Sequence, residues 1–203
     1  SRPSGLKVCF RDVSNATNER TMISSFVPAM PCGHTAPVMS LQSRSMASTV
    51  TLAVIYNSFA FDAGLRTRLG GVHLTWHYME ETAIPVLTIS ALPAVVVMSC
   101  ALNFPAAIFA PEWLRLRAME SSLPPWKSLW ALTRHERLRL RCILDAIVAE
   151  LYGLDQADFA WILRDDPSDP KGFWRVDKDQ PKELRHTTLA QVAFRDLKEM
   201  GLD

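Results

Sequence analysis

The run Arg66-Thr-Arg-Leu-Gly-Gly-Val-His-Leu-Thr75 holds the side chains best suited to chemistry in this sequence. Arg66 and Arg68 close an apolar helical pattern, Gly70 and Gly71 form a turn, and His73 and Thr75 fall on the polar face of an alternating segment. Arginine bonds phosphate, or guanine edges, through two parallel N–H groups. Glycine lets a backbone approach a phosphate closely. On the residues alone a plainer reading carries more weight, in which the pair of arginines complements the dipole at a helix C-terminus. Arg134, Arg137, Arg139 and Arg141 read as a solvated helix face. His73 and His77, with Cys32-x-His34, contain zinc-ligand types. On a strand, however, positions i and i+4 are about 13 Å apart, too far to share a zinc at ~2 Å from each ligand. Ser, His and Asp occur without a nucleophile-elbow or Cys/His signature, and no P-loop or GxGxxG is present. The residues thus contain no catalytic constellation.

The elements that must position these residues follow from periodicity. Leu6, Val8 and Phe10 alternate with Lys7, Cys9 and Arg11, a half-buried strand. Residues 14–20 are polar and turn-like, residues 21–28 predict a second strand ended by Pro28 and Pro31, and residues 32–40 a loop. Leu52, Ile55, Tyr56, Phe59 and Ala63 lie at helical spacing, which predicts one helix over 47–68 ended by Gly70 and Gly71. Val72, Leu74, Trp76 and Tyr78 alternate with His73, Thr75 and His77, which predicts a strand over 72–78. Residues 82–111 carry no Asp, Glu, Lys or Arg, but Pro85, Pro93, Pro105 and Pro111 interrupt them. A spanning helix needs about 20 mostly apolar residues, so buried strands and turns are expected there and no membrane span. Thr133 and Glu136 form a capping box opening a helix over 133–152, stopped by Gly153. Asp155 caps a short helix with Phe159, Ile162 and Leu163 inward. A polar tail leads to a last amphipathic helix over 187–200. There is no internal repeat.

At 203 residues, 48% hydrophobic and 21% charged, the chain has a globular rather than a disordered composition. The net charge of +1 conceals an asymmetry. Residues 1–79 hold seven Lys/Arg against three Asp/Glu, residues 80–141 seven against five, and residues 142–203 eight against thirteen. A polyanion would prefer the first part. Cys9, Cys32, Cys100 and Cys142 form no CxxC pair, and no apolar leader opens the chain, which points to a reducing cytoplasm. The chain opens without an initiator Met, on the approach to a strand, and a fragment or excised domain is the expectation.

Five segments, in order, carry a resemblance. They are Arg11-Asp-Val-Ser-Asn-Ala-Thr-Asn-Glu-Arg-Thr-Met-Ile23 with Val27-Pro28; Tyr56-Asn-Ser-Phe-Ala-Phe-Asp62 with Arg66-x-Arg-Leu-Gly-Gly-Val-His-Leu74; Phe109-Ala-Pro-Glu-Trp113; Asp145-Ala-Ile-Val-Ala-Glu-Leu-Tyr-Gly-Leu154 with Phe159-Ala-Trp-Ile-Leu163; and Gly172-Phe-Trp-Arg-Val-Asp-Lys178 with Glu183-Leu-Arg-His-Thr187. The series resembles the target-recognition and C-terminal part of large adenine-specific DNA methyltransferases of restriction–modification and phage-defence systems. The Asn/Asp-Pro-Pro-Tyr motif of such enzymes, which holds the flipped adenine, and their glycine-rich S-adenosylmethionine motif do not occur here.

The resemblance therefore implies sequence readout and positioning on double-stranded DNA. It implies no cofactor in this chain, S-adenosylmethionine in the parent enzyme, and a methyltransferase core as partner. It also implies an α+β fold: a small mixed α/β recognition domain over 1–110, a helical region over 111–166, and a polar tail with a final amphipathic helix over 167–203. The expected DNA-contacting residues are Arg11, Thr17, Asn18 and Arg20 in the first loop, and Arg66, Arg68, Gly70, Gly71, His73 and Thr75 in the second. His34 and Arg44 lie between them. Asn and Thr also favour turns, so residues 15–20 fit a purely structural turn as well. The alternative from another class is a protein-docking module of the same complex, using the acidic final third and its amphipathic helices.

Overall fold

Alternation over residues 6–10 produces β1 (Lys7–Phe10), with Val8 and Phe10 buried. The computed structural model describes residues 5–28, 30–39, 46–85, 92–119 and 125–201. β1 is the central strand of an antiparallel sheet of order β2-β1-β3, with β2 at Ser24–Val27 and β3 at Val38–Met39. Val8 opposes Phe26 on one side and Met39 on the other.

The apolar pattern over 47–68 becomes two helices, α1 (Met46–Tyr56) and α2 (Phe59–Arg68). α1 is buried almost all round, as a helix without a polar face must be. The break lies at Asn57 and Ser58, whose side chains compete with helical hydrogen bonding. Ser58 Oγ caps α2 by accepting from Phe61 N at 3.2 Å. Asn57 is bound to β2: its Oδ1 accepts from Ser24 N at 2.9 Å and its Nδ2 donates to Ser24 O at 3.1 Å. The expected glycine C-cap is also corrected. Leu69 ends α2 in extended backbone, and neither Gly70 nor Gly71 has a positive φ.

Residues 72–78 do not form the predicted strand. His73 makes one isolated bridge, to Val13, and the chain then enters α3 (Trp76–Glu81). Of the alternating set Leu74 is fully buried, whereas Val72 is 54% and Trp76 42% exposed. The period of two therefore has no continuous buried face or partner strand behind it. The expectation of strands over 82–111 is likewise overturned by α4 (Leu92–Asn103), a short 3-10 helix (Ala107–Phe109) and α5 (Ala110–Met119). Pro93 and Pro111 are each the second residue of a helix, where the missing N–H costs nothing. They open helices instead of breaking them. No helix of the described residues is long and apolar enough to cross a membrane.

α6 (Arg134–Leu151) opens with the expected capping box, Thr133 Oγ1 accepting from Glu136 N and Glu136 accepting from Thr133 N. Glu136 is held below the usual carboxylate range by those bonds from Thr133. Thr133→Ala is expected to lower Tm by about 2–4 °C, measured by circular dichroism. Gly153, at φ +72°, turns the chain into α7 (Gln156–Ile162), capped by Asp155. A 3-10 turn (Lys182–Leu184) precedes α8 (His186–Met200).

The fold is α+β, with the small sheet against a helical body. One core joins Val8, Phe10 and Phe26 to α1, α4, Trp113 and the Leu144 face of α6. A second gathers Phe59, Ala146, Phe159, Phe173, Val176 and Phe194. The first core draws buried residues from both sides of residue 110 and the second from both sides of residues 110 and 166, with Phe173 and Val176 coming from the polar tail.

Candidate nucleic-acid interface

The loop after β1 is shaped by its own side chains. Asn15 Oδ1 accepts from Thr17 N at 2.9 Å and Thr17 Oγ1 at 3.0 Å, and Asn18 N donates to Asn15 O at 3.1 Å. Thr21 Oγ1 donates back to Asn15 O at 3.1 Å. This is the turn chemistry of Asn and Thr.

Asp12 joins this loop to two others. Its N–H donates to Thr35 O at 3.1 Å, its carbonyl accepts from Leu74 N at 2.7 Å, and its Oδ2 lies 2.9 Å from His73 Nδ1. Ser14 N adds a bond to Val72 O at 3.0 Å. Loops 11–20, 33–37 and 69–75 therefore converge on Asp12. Arg11, Thr17, His34, Arg68, Gly70, Gly71, His73 and Thr75 are exposed on these loops and the adjoining end of α2, the His73 side chain to 61%. A Cβ at Gly71 would meet nothing within 4 Å, and at Gly70 only the Tyr78 hydroxyl at 3.9 Å. The fold does not itself demand glycine at these two positions, and their smallness leaves open surface.

Two of the expected DNA-contacting arginines point the other way. Arg66 is 2% exposed, and all five N–H donors of a guanidinium are used inside the protein. Nε donates to Asp62 Oδ1 at 3.1 Å, Nη1 to Lys171 O and Gly172 O at 2.9 and 3.0 Å, and Nη2 to Asn18 O and Glu19 O at 2.9 and 2.8 Å. Its guanidinium lies 3.9 Å from the Phe173 ring centre. Burial pushes its pKa down from the ordinary value, and the Asp62 carboxylate opposes that shift.

Arg20 donates from Nε to Asp62 Oδ2 at 2.9 Å and from Nη2 to Asn57 O, with its guanidinium over Phe59. Arg66 thus has no donor left for a base edge, whereas Arg20 is held inward by Asp62 and Asn57 with its Nη1 unused among the described residues. Arg44 lies outside the described residues. Asn18 is half-buried, its carbonyl held by Arg66.

Sequence reasoning missed Asp12 and Asp62. Asp62 was legible in part, because it lies four residues before Arg66 on a helix. Asp12 carries no such signal. The histidines have separate partners, His73 with Asp12 and His77 with Glu81 at 3.5 Å. Among the described residues no group of three or more His, Cys, Asp or Glu is placed to hold a metal ion. Burial pushes the Cys100 and Cys142 thiols up to about 12, so neither supplies a thiolate at neutral pH. No protein-family model, curated protein or solved structure matches this chain.

Proposed function

We propose that this chain is the target-recognition and C-terminal part of an adenine-specific DNA methyltransferase of the restriction–modification or phage-defence kind. It reads and positions double-stranded DNA for a methyltransferase core that holds S-adenosylmethionine. The observation that carries this reading is the convergence of three loops on Asp12. It puts exposed Arg11, His34, His73 and Thr75 on neighbouring segments, with Arg68 at the helix end that leads into them. Arg11 uses only Nη2 among the described residues, on Ser14 Oγ and Arg20 O, and Arg68 makes a single long contact to Gly64 O at 3.5 Å. Both retain donors for phosphate or guanine. The four cysteines are free, which fits a cytoplasmic protein.

The test is binding of the chain to a mixed pool of short duplexes, titrated with salt. Arg11→Ala/Arg68→Ala is expected to weaken binding and to reduce the log–log salt slope by about 2, roughly one for each phosphate that is no longer neutralised. His73→Ala is expected to change which sequences are enriched. An unchanged slope and an unchanged enriched sequence would sink the assignment.

A second reading, protein docking within the same complex, is favoured by one feature. A groove of about 530 Å³ runs between α6 and α8, lined by Leu138, Ile143, Leu189, Val192 and Met200. Capture of a methyltransferase core by the chain without DNA enrichment would favour that reading over the first.

A further inference from the structure

The cations of this protein fall into two populations. Five of the eight in residues 142–203 face a carboxylate, Arg164 with Asp169, Lys182 and Arg185 with Asp165, Arg195 with Asp196, and Lys198 with Glu150, while Lys171 and Arg175 donate to carbonyls. The first two turns of α6 differ. Arg134, Arg137, Arg139 and Arg141 have no carboxylate of the described residues within ion-pair distance. Glu136, the single acid among them, is engaged in the capping box with Thr133. Four unneutralised guanidiniums within eight residues repel one another, so an ordinary solvated helix would be expected to intersperse acids among them.

Arg134, Arg137 and Arg141 stand at i, i+3 and i+7, on one face of the helix. Arg137 and Arg141 line a cleft of about 580 Å³ whose lining also includes Glu19, Arg20 and Ile23, at the far end of the loop that begins at Arg11. Exposed Ser25 adds a hydroxyl to its lining, whereas Ser99 is buried and the Asn103 amide donates to Ser99 O at 2.8 Å. Arginine with Ser is a donor set that binds phosphodiester oxygens. Arg137 is braced by its Nη1, which donates to Leu102 O at 2.7 Å and Ala131 O at 3.2 Å, and this fixes the guanidinium at the cleft edge. Arg134 and Arg141 are exposed. The same cleft holds three carboxylates, each with a partner inside the protein: Asp145 contacts His186, Asp177 accepts from His186 N, and Glu19 accepts from Asp177 N.

We infer that the Arg134–Arg137–Arg141 face of α6 is a second nucleic-acid contact, which grips the phosphate backbone without reading sequence. It lies in the helical region, outside the loops expected to recognise the target. The inference rests on the DNA-binding reading above but not on its loops, and the two can fail separately.

The experiment compares four forms of the full chain in the same salt titration: wild type, Arg134→Ala/Arg141→Ala, Arg11→Ala/Arg68→Ala, and the control Arg195→Ala. Arg137 is left intact because it braces the fold, and unfolding followed by circular dichroism verifies each variant. Arg134→Ala/Arg141→Ala is expected to reduce the salt slope by about 2, to weaken binding by the same factor on every sequence, and to leave the enriched sequence unchanged. Arg195→Ala is expected to leave the slope unchanged. A folded Arg134→Ala/Arg141→Ala protein with the wild-type slope overturns the inference, as does one with altered enrichment. If it lowers the slope while Arg11→Ala/Arg68→Ala does not, the loop assignment falls and this inference stands. A wild-type chain without salt-dependent binding removes both.

Discussion

Replacing Asp62 by alanine is expected to cost about 3–5 kcal/mol, the range for breaking a buried ion pair by removal of one partner. Asp62 is fully buried. Its Oδ1 accepts from Arg66 Nε, and its Oδ2 accepts from Arg20 Nε and from Thr21 N at 3.1 Å. Alanine would leave a buried guanidinium and a half-buried one without a counter-charge, and a buried N–H without an acceptor. Arg66 cannot escape to water without releasing the carbonyls of Asn18, Glu19, Lys171 and Gly172. The loss is a large part of the 5–15 kcal/mol typical of a whole protein. It corresponds to a Tm fall of about 6–20 °C for a chain of this size. Amide exchange should quicken first at residues 18–21 and 171–173, the segments that Arg66 bridges. Asparagine at this position should rescue little, because its NH₂ would face donors. A Tm within about 2 °C of wild type would mean that the arginines find water and the knot is not a structural centre.

That knot also shows where sequence reading stopped. Residue type and spacing singled out Arg66, and the resemblance added Arg20, but neither reports which side of a loop faces solvent. The direction of Arg66 depends on Lys171 and Gly172, more than one hundred residues away, and that of Arg20 on Asn57 and Asp62, about forty residues on. Elements with local signals were legible: β1 from its alternation, α6 from Thr133 and Glu136, α7 from Asp155, and α8 from its apolar stripe. Elements whose signal is ambiguous were not. Prolines at the second residue of α4 and α5 read as breakers. The alternation over 72–78 stood for a strand that had no partner beyond Val13. The polar turn over 14–20 and the glycine turn at 70–71 were each visible near basic residues. Their meeting at Asp12 was not, since an isolated bridge and two backbone bonds leave no pattern in composition.

Asp145 leads to the second large effect. It is buried, its Oδ1 accepts from Phe59 N at 2.8 Å, and its Oδ2 lies 2.8 Å from His186 Nε2. One carboxylate therefore bonds the first residue of α2 and lies against the imidazole of the first residue of α8. Asp145→Ala is expected to cost about 3 kcal/mol, through the uncapped Phe59 N–H and the imidazole left buried beside an empty position. Asp145→Asn keeps an oxygen for Phe59 N and should lose roughly half as much. Thermal unfolding of the two variants checks the order, and equal losses would mean that the Phe59 bond contributes nothing. The two aspartates are also coupled. The Phe59 ring lies 5.0 Å from Phe173 and 4.7 Å from His186, with Arg20 above Phe59 and Arg66 above Phe173. Loosening either aspartate loosens this shared stack. In a variant that retains enough stability to be measured, Asp62→Asn with Asp145→Asn should therefore cost less than the sum of the single losses, by more than the ~0.5 kcal/mol within which independent sites add. Strict additivity would mean that the tail is held at two separate points, not through one aromatic cluster.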